Sequence, residues 1–212
     1  MIARVKYTKG YDVKYVGHLD SMRTFIRCIK RTCIPVKYSN GFNPRVQISF
    51  ALPLGVGVTS DCEFFDLEVE QAMNAEMFLG ELNSTLPSGY RVIEVEFLES
   101  AKSLMSLVKE AIYRIKIDVA DFDKVIELFE RDSIVIEKES NSKKETKEIE
   151  LKNFILDISF DKDQKEVIVH STAGSVNNMN PNFIVDAIEK YVGEVEDYDI
   201  HRVKLIKGDN LL

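Results

Sequence analysis

His18 and Asp20 stand at the start of a helix-periodic segment in which Leu19, Met22, Phe25, Ile26, Ile29 and Cys33 recur at three- and four-residue spacing. The free N–H groups of a helix start favour an anion, and an imidazole placed there can act as acid, base or ligand. The plainer roles are electrostatic support of the first turn by Asp20 and a structural hydrogen bond from His18. Arg23, Arg27, Lys30 and Arg31 follow at spacings of four, three and one, which sets them on the side of the helix away from the apolar stripe. Such a ridge is either a solvated outer face or a phosphate-contacting one. Few acidic residues lie nearby in the sequence, so the charges are expected to be unpaired along the helix and to attract anions. Lys14, just upstream, extends the basic set.

The next segment, Lys37-Tyr38-Ser39-Asn40-Gly41-Phe42-Asn43-Pro44-Arg45, combines cations, aromatics, small polar groups and turn formers. Aromatic rings beside cations can stack unpaired bases while Lys and Arg hold the backbone. In that reading Lys37, Tyr38, Asn40, Phe42, Asn43 and Arg45 contact RNA. In the other, Asn40-Gly41 only makes a tight turn, Phe42 plugs the core and Pro44 shapes the exit. The exposure of Phe42 and Tyr38 separates the two.

Other constellations are weaker. His170 and His201 have no carboxylate or cysteine at metal-ligand spacing, and Cys28, Cys33 and Cys62 form neither an even disulfide framework nor a C-x-x-C knuckle, so no metal site is expected and the cysteines read as reduced core residues. Pro53-Leu54-Gly55-Val56-Gly57 lacks the third glycine and following helix of a nucleotide fingerprint and reads as a flexible bend. Glu63 and Asp66, three apart on an expected strand, point to opposite faces, which argues against a paired acid and base. No cofactor is called for.

The elements that position these residues follow from periodicity and turn signals. Residues Ile2 to Tyr7 read as a strand, with Asp12 to Val16 a short second one, and the helix from His18 stops before Pro35. Strands are expected at Val36 to Tyr38, Val46 to Leu52 and Cys62 to Val69, a helix at Asn74 to Leu86, and a strand at Tyr90 to Leu98. Glu99 to Lys109 reads as a link. The order then repeats: strand Tyr113 to Val119, helix Asp121 to Glu130, strand Ile134 to Lys138, and a charged, solvated stretch through Glu150. A hairpin of Phe154 to Phe160 with Glu166 to Ser171 follows, then a helix from Asn180-Pro181 to Gly193 and a last strand, Tyr198 to Ile206. These orders predict an α+β chain of two tandem ferredoxin-like (βαββαβ) units with antiparallel sheets, residues 1–100 and 110–212. Such a fold alone assigns no function.

The net charge of −7 conceals a segregation: residues 1–50 carry ten basic and two acidic groups, or +8, and the remainder carries −15. No apolar run is long enough to span a membrane and no cleavable leader is evident at the N-terminus, so a cytoplasmic location is expected.

Gly17-His18-Leu19-Asp20, Met22-Arg23, Phe25, Arg27, Arg31, Pro35-Val36, Tyr38-Ser39-Asn40-Gly41-Phe42-Asn43-Pro44, Ile48-Ser49-Phe50-Ala51-Leu52-Pro53-Leu54-Gly55, Ser60, Glu63 and Asp66 together resemble a bacterial pattern, that of the radical-SAM-linked family. This is a domain of unknown function found fused to, or encoded beside, radical SAM proteins. The match covers residues 15 to 66, about a quarter of the chain, and Val16-Gly17 departs from the small polar residue that often precedes the histidine. The resemblance implies a radical SAM protein as partner and, since members are often encoded near ribosomal-protein and ribonuclease genes, RNA of the transfer or ribosomal class. The chain has no C-x-x-x-C-x-x-C cluster motif, so any radical chemistry would belong to that partner. Three functions are therefore weighed: an RNA-binding module, a protein-interaction subunit whose basic face docks an acidic partner, and an RNA-processing or RNA-modifying enzyme using His18 or Tyr38, with Asp20 nearby.

Overall fold

Alternate residues of an extended chain face opposite sides, and Ala3, Val5, Tyr7 and Lys9 are all buried, so β1 (Ile2–Lys9) is the strand on which the first half is built. The structure, a computed structural model, describes residues 1–139, 146–174, 177–207 and 210–211. The chain divides into two compact units, Met1–Val108 with Lys204–Leu212, and Lys109–Val203.

In the first unit β1 is followed by α1 (His18–Ile29), β2 (Ile48–Phe50), β3 (Val58–Glu68), α2 (Ala75–Thr85), β4 (Tyr90–Leu98) and the single turn α3 (Leu104–Leu107). Strand β1 lies antiparallel between β3, from Ile2 opposite Glu68 to Lys9 opposite Ser60, and β4, from Ile2 opposite Leu98 to Lys9 opposite Tyr90. Strand β2 pairs antiparallel with β3 through Phe50 and Phe65. Phe25 and Ile29 of α1 and Phe78 and Leu82 of α2 are buried against Val5, Phe65, Leu67 and Val92 of the strands. The rings of Tyr7, Phe25, Phe50, Phe65 and Tyr90 form one cluster, with Tyr7 and Phe25 only 4.7 Å apart between centroids. Full burial of each such side chain stabilises by about 1.5–3 kcal/mol, which anchors α1 on the sheet.

Several sequence expectations need correction here. Asp12 to Val16 is no strand: Tyr11–Val13 is a 3₁₀ turn, because the buried Lys9 ammonium draws in the carbonyls of Lys14 (3.2 Å) and Val16 (2.8 Å) and curls the segment. Val36 and Tyr38 make only isolated bridges, to Val69 and Val46. The helical stripe does not extend to its ends: Leu19 is 59% exposed, and Cys33, four residues beyond α1, is exposed where a core thiol was expected, whereas Cys28 and Cys62 are buried. The expected link, Glu99 to Lys109, contains the boundary between the units at Val108 and Lys109, though Leu104 and Val108 within it are buried rather than loose. Near Pro53 the chain is anchored rather than loose, with Leu54 buried and the Gly57 N–H donating to the Lys14 carbonyl at 2.8 Å.

The second unit contains β5 (Glu110–Val119), α4 (Phe122–Glu130), β6 (Val135–Glu139), β7 (Thr146–Glu150), β8 (Ile155–Asp161), β9 (Glu166–Thr172), α5 (Asn182–Tyr191) and β10 (Val195–Lys207), whose end from Lys204 belongs to the first unit together with β11 (Asn210–Leu211). Its strands are ordered β10, β5, β9, β8, with β5–β9 and β8–β9 antiparallel. Strands β6 and β7 form a separate hairpin, so the charged stretch is partly a strand; residues 140–145 lie outside the described residues. Its register sets Glu137 against Glu148 and Lys138 against Lys147, a pattern of like charges that disfavours pairing and hides the strand in the sequence. What holds it is Glu150, whose carboxylate accepts from Ser133 and from the backbone N–H groups of Ile134 and Lys152. The chain is thus mixed α+β, built chiefly on antiparallel strand pairing. Among the described residues no helix is long and apolar enough to cross a membrane.

Candidate nucleic-acid interface

The ridge on α1 arises because Met22, Phe25, Ile26 and Ile29 turn inward and leave Arg23, Arg27 and Lys30 on the open side. Its charges are not all unpaired, as the sequence suggested. Arg23 donates to the Asp20 carboxylate one turn earlier at 2.8 Å, an exposed pair worth well under about 1 kcal/mol that nevertheless lowers the local positive potential. Arg31 donates to the Thr85 carbonyl at 2.9 Å and lies 3.4 Å from the Cys28 sulfur. Among the described residues the side chains of Arg27 and Lys30 have no hydrogen-bond or ion-pair partner, and both residues are exposed. Lys14 does not join the surface set: it is 6% exposed, with its ammonium 4.1 Å from the centre of the Tyr11 ring and 5.2 Å from that of Tyr15.

The loop after α1 is closed at its base by the Tyr38–Val46 bridge, by the Ser39 N–H on the Arg45 carbonyl (2.9 Å) and by the Arg45 N–H on the Ser39 hydroxyl (3.0 Å). Gly41, with φ +123°, reverses the chain where a side chain would be strained. Phe42 stands at 105% exposure and Tyr38 at 41%, so Phe42 plugs no core. Asn40, Asn43 and Arg45 are exposed beside it, while Lys37 pairs with Glu68 at 3.2 Å. A closed loop thus carries a fully exposed ring and a cation.

His18 is half-buried with its ring edge-on to Phe50, 5.5 Å between centroids. Burial holds its pKa below the usual imidazole value; the Glu63 charge opposes this and Lys9 adds to it. A neutral imidazole with an aromatic neighbour fits a packing role more directly than a catalytic one. Asp66 is not available as an acid or base, since both its oxygens accept from Arg4 at 2.9 Å. In the second unit His170 lies 2.6 Å from Glu110 across the β5–β9 ladder, a half-buried pair. Among the described residues no group of three or more His, Cys, Asp or Glu side chains is placed to hold a metal.

One feature had no sequence signal. Thr24, Arg27 and Cys28 of α1, with Lys30 and Arg31 just past its end, line an open pocket of about 540 Å³ together with Thr85 of α2 and Pro87 beyond it. The α2 residues are more than fifty positions downstream, so only the folded chain brings them to the ridge.

A family model described as "Uncharacterized protein conserved in bacteria (DUF2344)" matches residues 3–181. No curated protein matches the chain. A solved structure titled "Crystal Structure of a Cbf5-Nop10-Gar1 Complex" is similar at a TM-score of 0.49 and 11% identity, over 97% of this chain and 50% of that one. The chain therefore spans half the length of that structural neighbour.

Proposed function

Because the chain belongs to the DUF2344 family of uncharacterized bacterial proteins, which carries no assigned activity, we propose its function from the interface itself: an RNA-binding module that presents α1 and the Tyr38–Arg45 loop to unpaired nucleotides. The observation that carries this reading is Phe42, a phenylalanine ring left wholly in water at the tip of a hydrogen-bonded loop that also carries Arg45 and follows the basic helix in the chain. An exposed ring offers a stacking platform, and bases stack on rings irrespective of sequence. Arg23, Arg27, Lys30 and Arg31 supply phosphate contacts in this reading, which predicts strong salt dependence. Tyr38, Asn40 and Asn43 supply ring and amide contacts; Lys37 takes part only by leaving Glu68.

The signature over residues 15–66 supports a radical SAM protein as the recipient of the RNA, and we place the protein in the cytoplasm, in keeping with its three free thiols. We read each unit as ferredoxin-like, supported in the first by β1 lying between β3 and β4 with both helices packed on it, and in the second by the order β10, β5, β9, β8. A second reading, docking to an acidic protein partner, draws on the same Phe42 exposure, since a solvent-borne ring also serves as a protein anchor.

Crosslinking the purified protein to cellular RNA separates them. Crosslinks mapping to Phe42, Tyr38 or Arg45 support RNA binding, whereas partners retained after ribonuclease treatment, with no crosslink in the loop, support the protein reading.

A further inference from the structure

Two open pockets of the first unit share Pro87. The first, of about 540 Å³, lies between the C-terminal ends of α1 and α2 and is lined by Arg27, Lys30 and Arg31. The second, of about 630 Å³, is lined by Thr8, Gly10, Leu86, Pro87, Gly89 and Arg91. Each falls within the roughly 300–1,000 Å³ range of small-molecule sites.

The charge balance decides what the first pocket can hold. Cations near helix C-termini are ordinary, because the carbonyl ends there are partially negative, by roughly half a charge per helix. Two helix ends meet here and offset about one positive charge, and the Thr85 carbonyl is already taken by Arg31 at 2.9 Å and by the Cys28 thiol at 3.1 Å. Arg27, Lys30 and Arg31 bring three full charges. About two remain uncompensated, the charge of a phosphate monoester. Among the described residues no aspartate or glutamate lines either pocket, in a chain with 35 acidic residues; Asp12 accepts from the Ser88 hydroxyl at 2.6 Å.

The walls of the second pocket are fixed before any ligand arrives. The Asn83 side chain bonds both the N–H and the carbonyl of Val92 at 2.9 Å, and the Gly10 N–H donates to the Gly89 carbonyl at 2.7 Å. Gly89 has φ +92°, and a Cβ there would meet the Val13 side chain at 2.8 Å, so the turn admits only glycine. Pro87, Leu86 and the close Gly10–Gly89 backbone give a floor low in side-chain bulk, suited to a flat ring.

We infer that this groove is a nucleotide site, with a phosphate on Arg27 and Lys30 and its nucleoside laid across Pro87 towards Arg91. The inference rests on the reading of α1 as a phosphate-contacting helix and goes beyond it by assigning a built subsite remote in sequence from the Phe42 loop. The phosphate is that of a free nucleotide or of an RNA strand.

The test is titration of the full chain with inorganic phosphate, uridine 5′-monophosphate and an eight-nucleotide oligouridylate, followed by calorimetry or by amide shifts of residues 83–91. The nucleotide is expected to bind more tightly than phosphate, and Arg27→Gln with Lys30→Gln to weaken it at least tenfold while the chain stays folded, as its unfolding transition shows. Phe42→Ala is expected to leave the mononucleotide untouched. Equal loss of oligonucleotide and mononucleotide in the double variant assigns the site to an RNA strand; loss of the mononucleotide alone assigns it to a free nucleotide. Mononucleotide binding without oligonucleotide binding retains the groove and removes the loop reading. Mononucleotide binding that is indifferent to the double variant, or no mononucleotide binding by the wild-type protein, overturns the groove.

Discussion

Arg31 donates to the carbonyl of Thr85 at 2.9 Å, so a side chain of the basic ridge also closes the C-terminal end of α2. The cations of the ridge thereby differ: Arg31 is structural, Arg23 is paired with Asp20, and Arg27 and Lys30 are open to a ligand.

Arg31→Ala is therefore expected to lower stability by about 1 kcal/mol, the cost of a hydrogen bond from a charged donor at a solvated site. Arg27→Ala, which removes no bond, is expected to leave stability within about 0.5 kcal/mol of wild type. Urea unfolding of the two variants checks the contrast; equal losses would place Arg27 in the scaffold as well.

Depth of burial sets a second contrast. Arg4 and Asp66 form a two-bond pair with side chains 14% and 10% exposed, and the guanidinium pKa is raised first by that hydrogen bonding. Asp66→Ala leaves a largely buried cation unpaired and is expected to cost roughly 3 kcal/mol. The exposed Lys37–Glu68 pair is expected to contribute less than about 1 kcal/mol, and Lys37→Ala should show it in the same measurement.

His18 predicts a pH dependence of known sign. Burial lowers its folded pKa below the unfolded value, so between the two the unfolded chain binds more protons and stability rises with pH. Stability is then fully present above about pH 6.5 and declines as pH falls from there through the folded pKa. His18→Asn should flatten this part of the curve, and unfolding midpoints at pH 5, 6 and 7 read it. An unchanged slope would show that His18 is not the group responsible.

How far these features were legible in the sequence depends on whether local pattern or distant packing produced them. The inward face of α1, the extent of α2 and the glycine after α5 follow from spacing and residue type within a few positions, and each is found in the structure. The closed loop with Phe42 outside was one of two open alternatives, because composition cannot tell a ring that plugs from one that protrudes. The 3₁₀ turn after β1 was not legible, since it depends on Lys9 reaching back under the chain. Nor was the β6–β7 hairpin, whose strands oppose like charges and are clipped by Glu150. The pairing of Arg23 with Asp20 could have been read, being a helical i, i+3 pair of opposite charge.

The central claim is that an exposed ring and open cations of the first unit hold unpaired RNA, and the most direct measurement is the affinity of the full chain for a short single-stranded RNA at two salt concentrations. Phe42→Ala is expected to lose about 1–3 kcal/mol of binding, the worth of one base stack, with the salt slope unchanged. Arg45→Glu with Arg27→Glu is expected to weaken binding and to flatten the salt slope, because phosphate contacts are removed. Wild-type affinity in all of these variants would contradict the account.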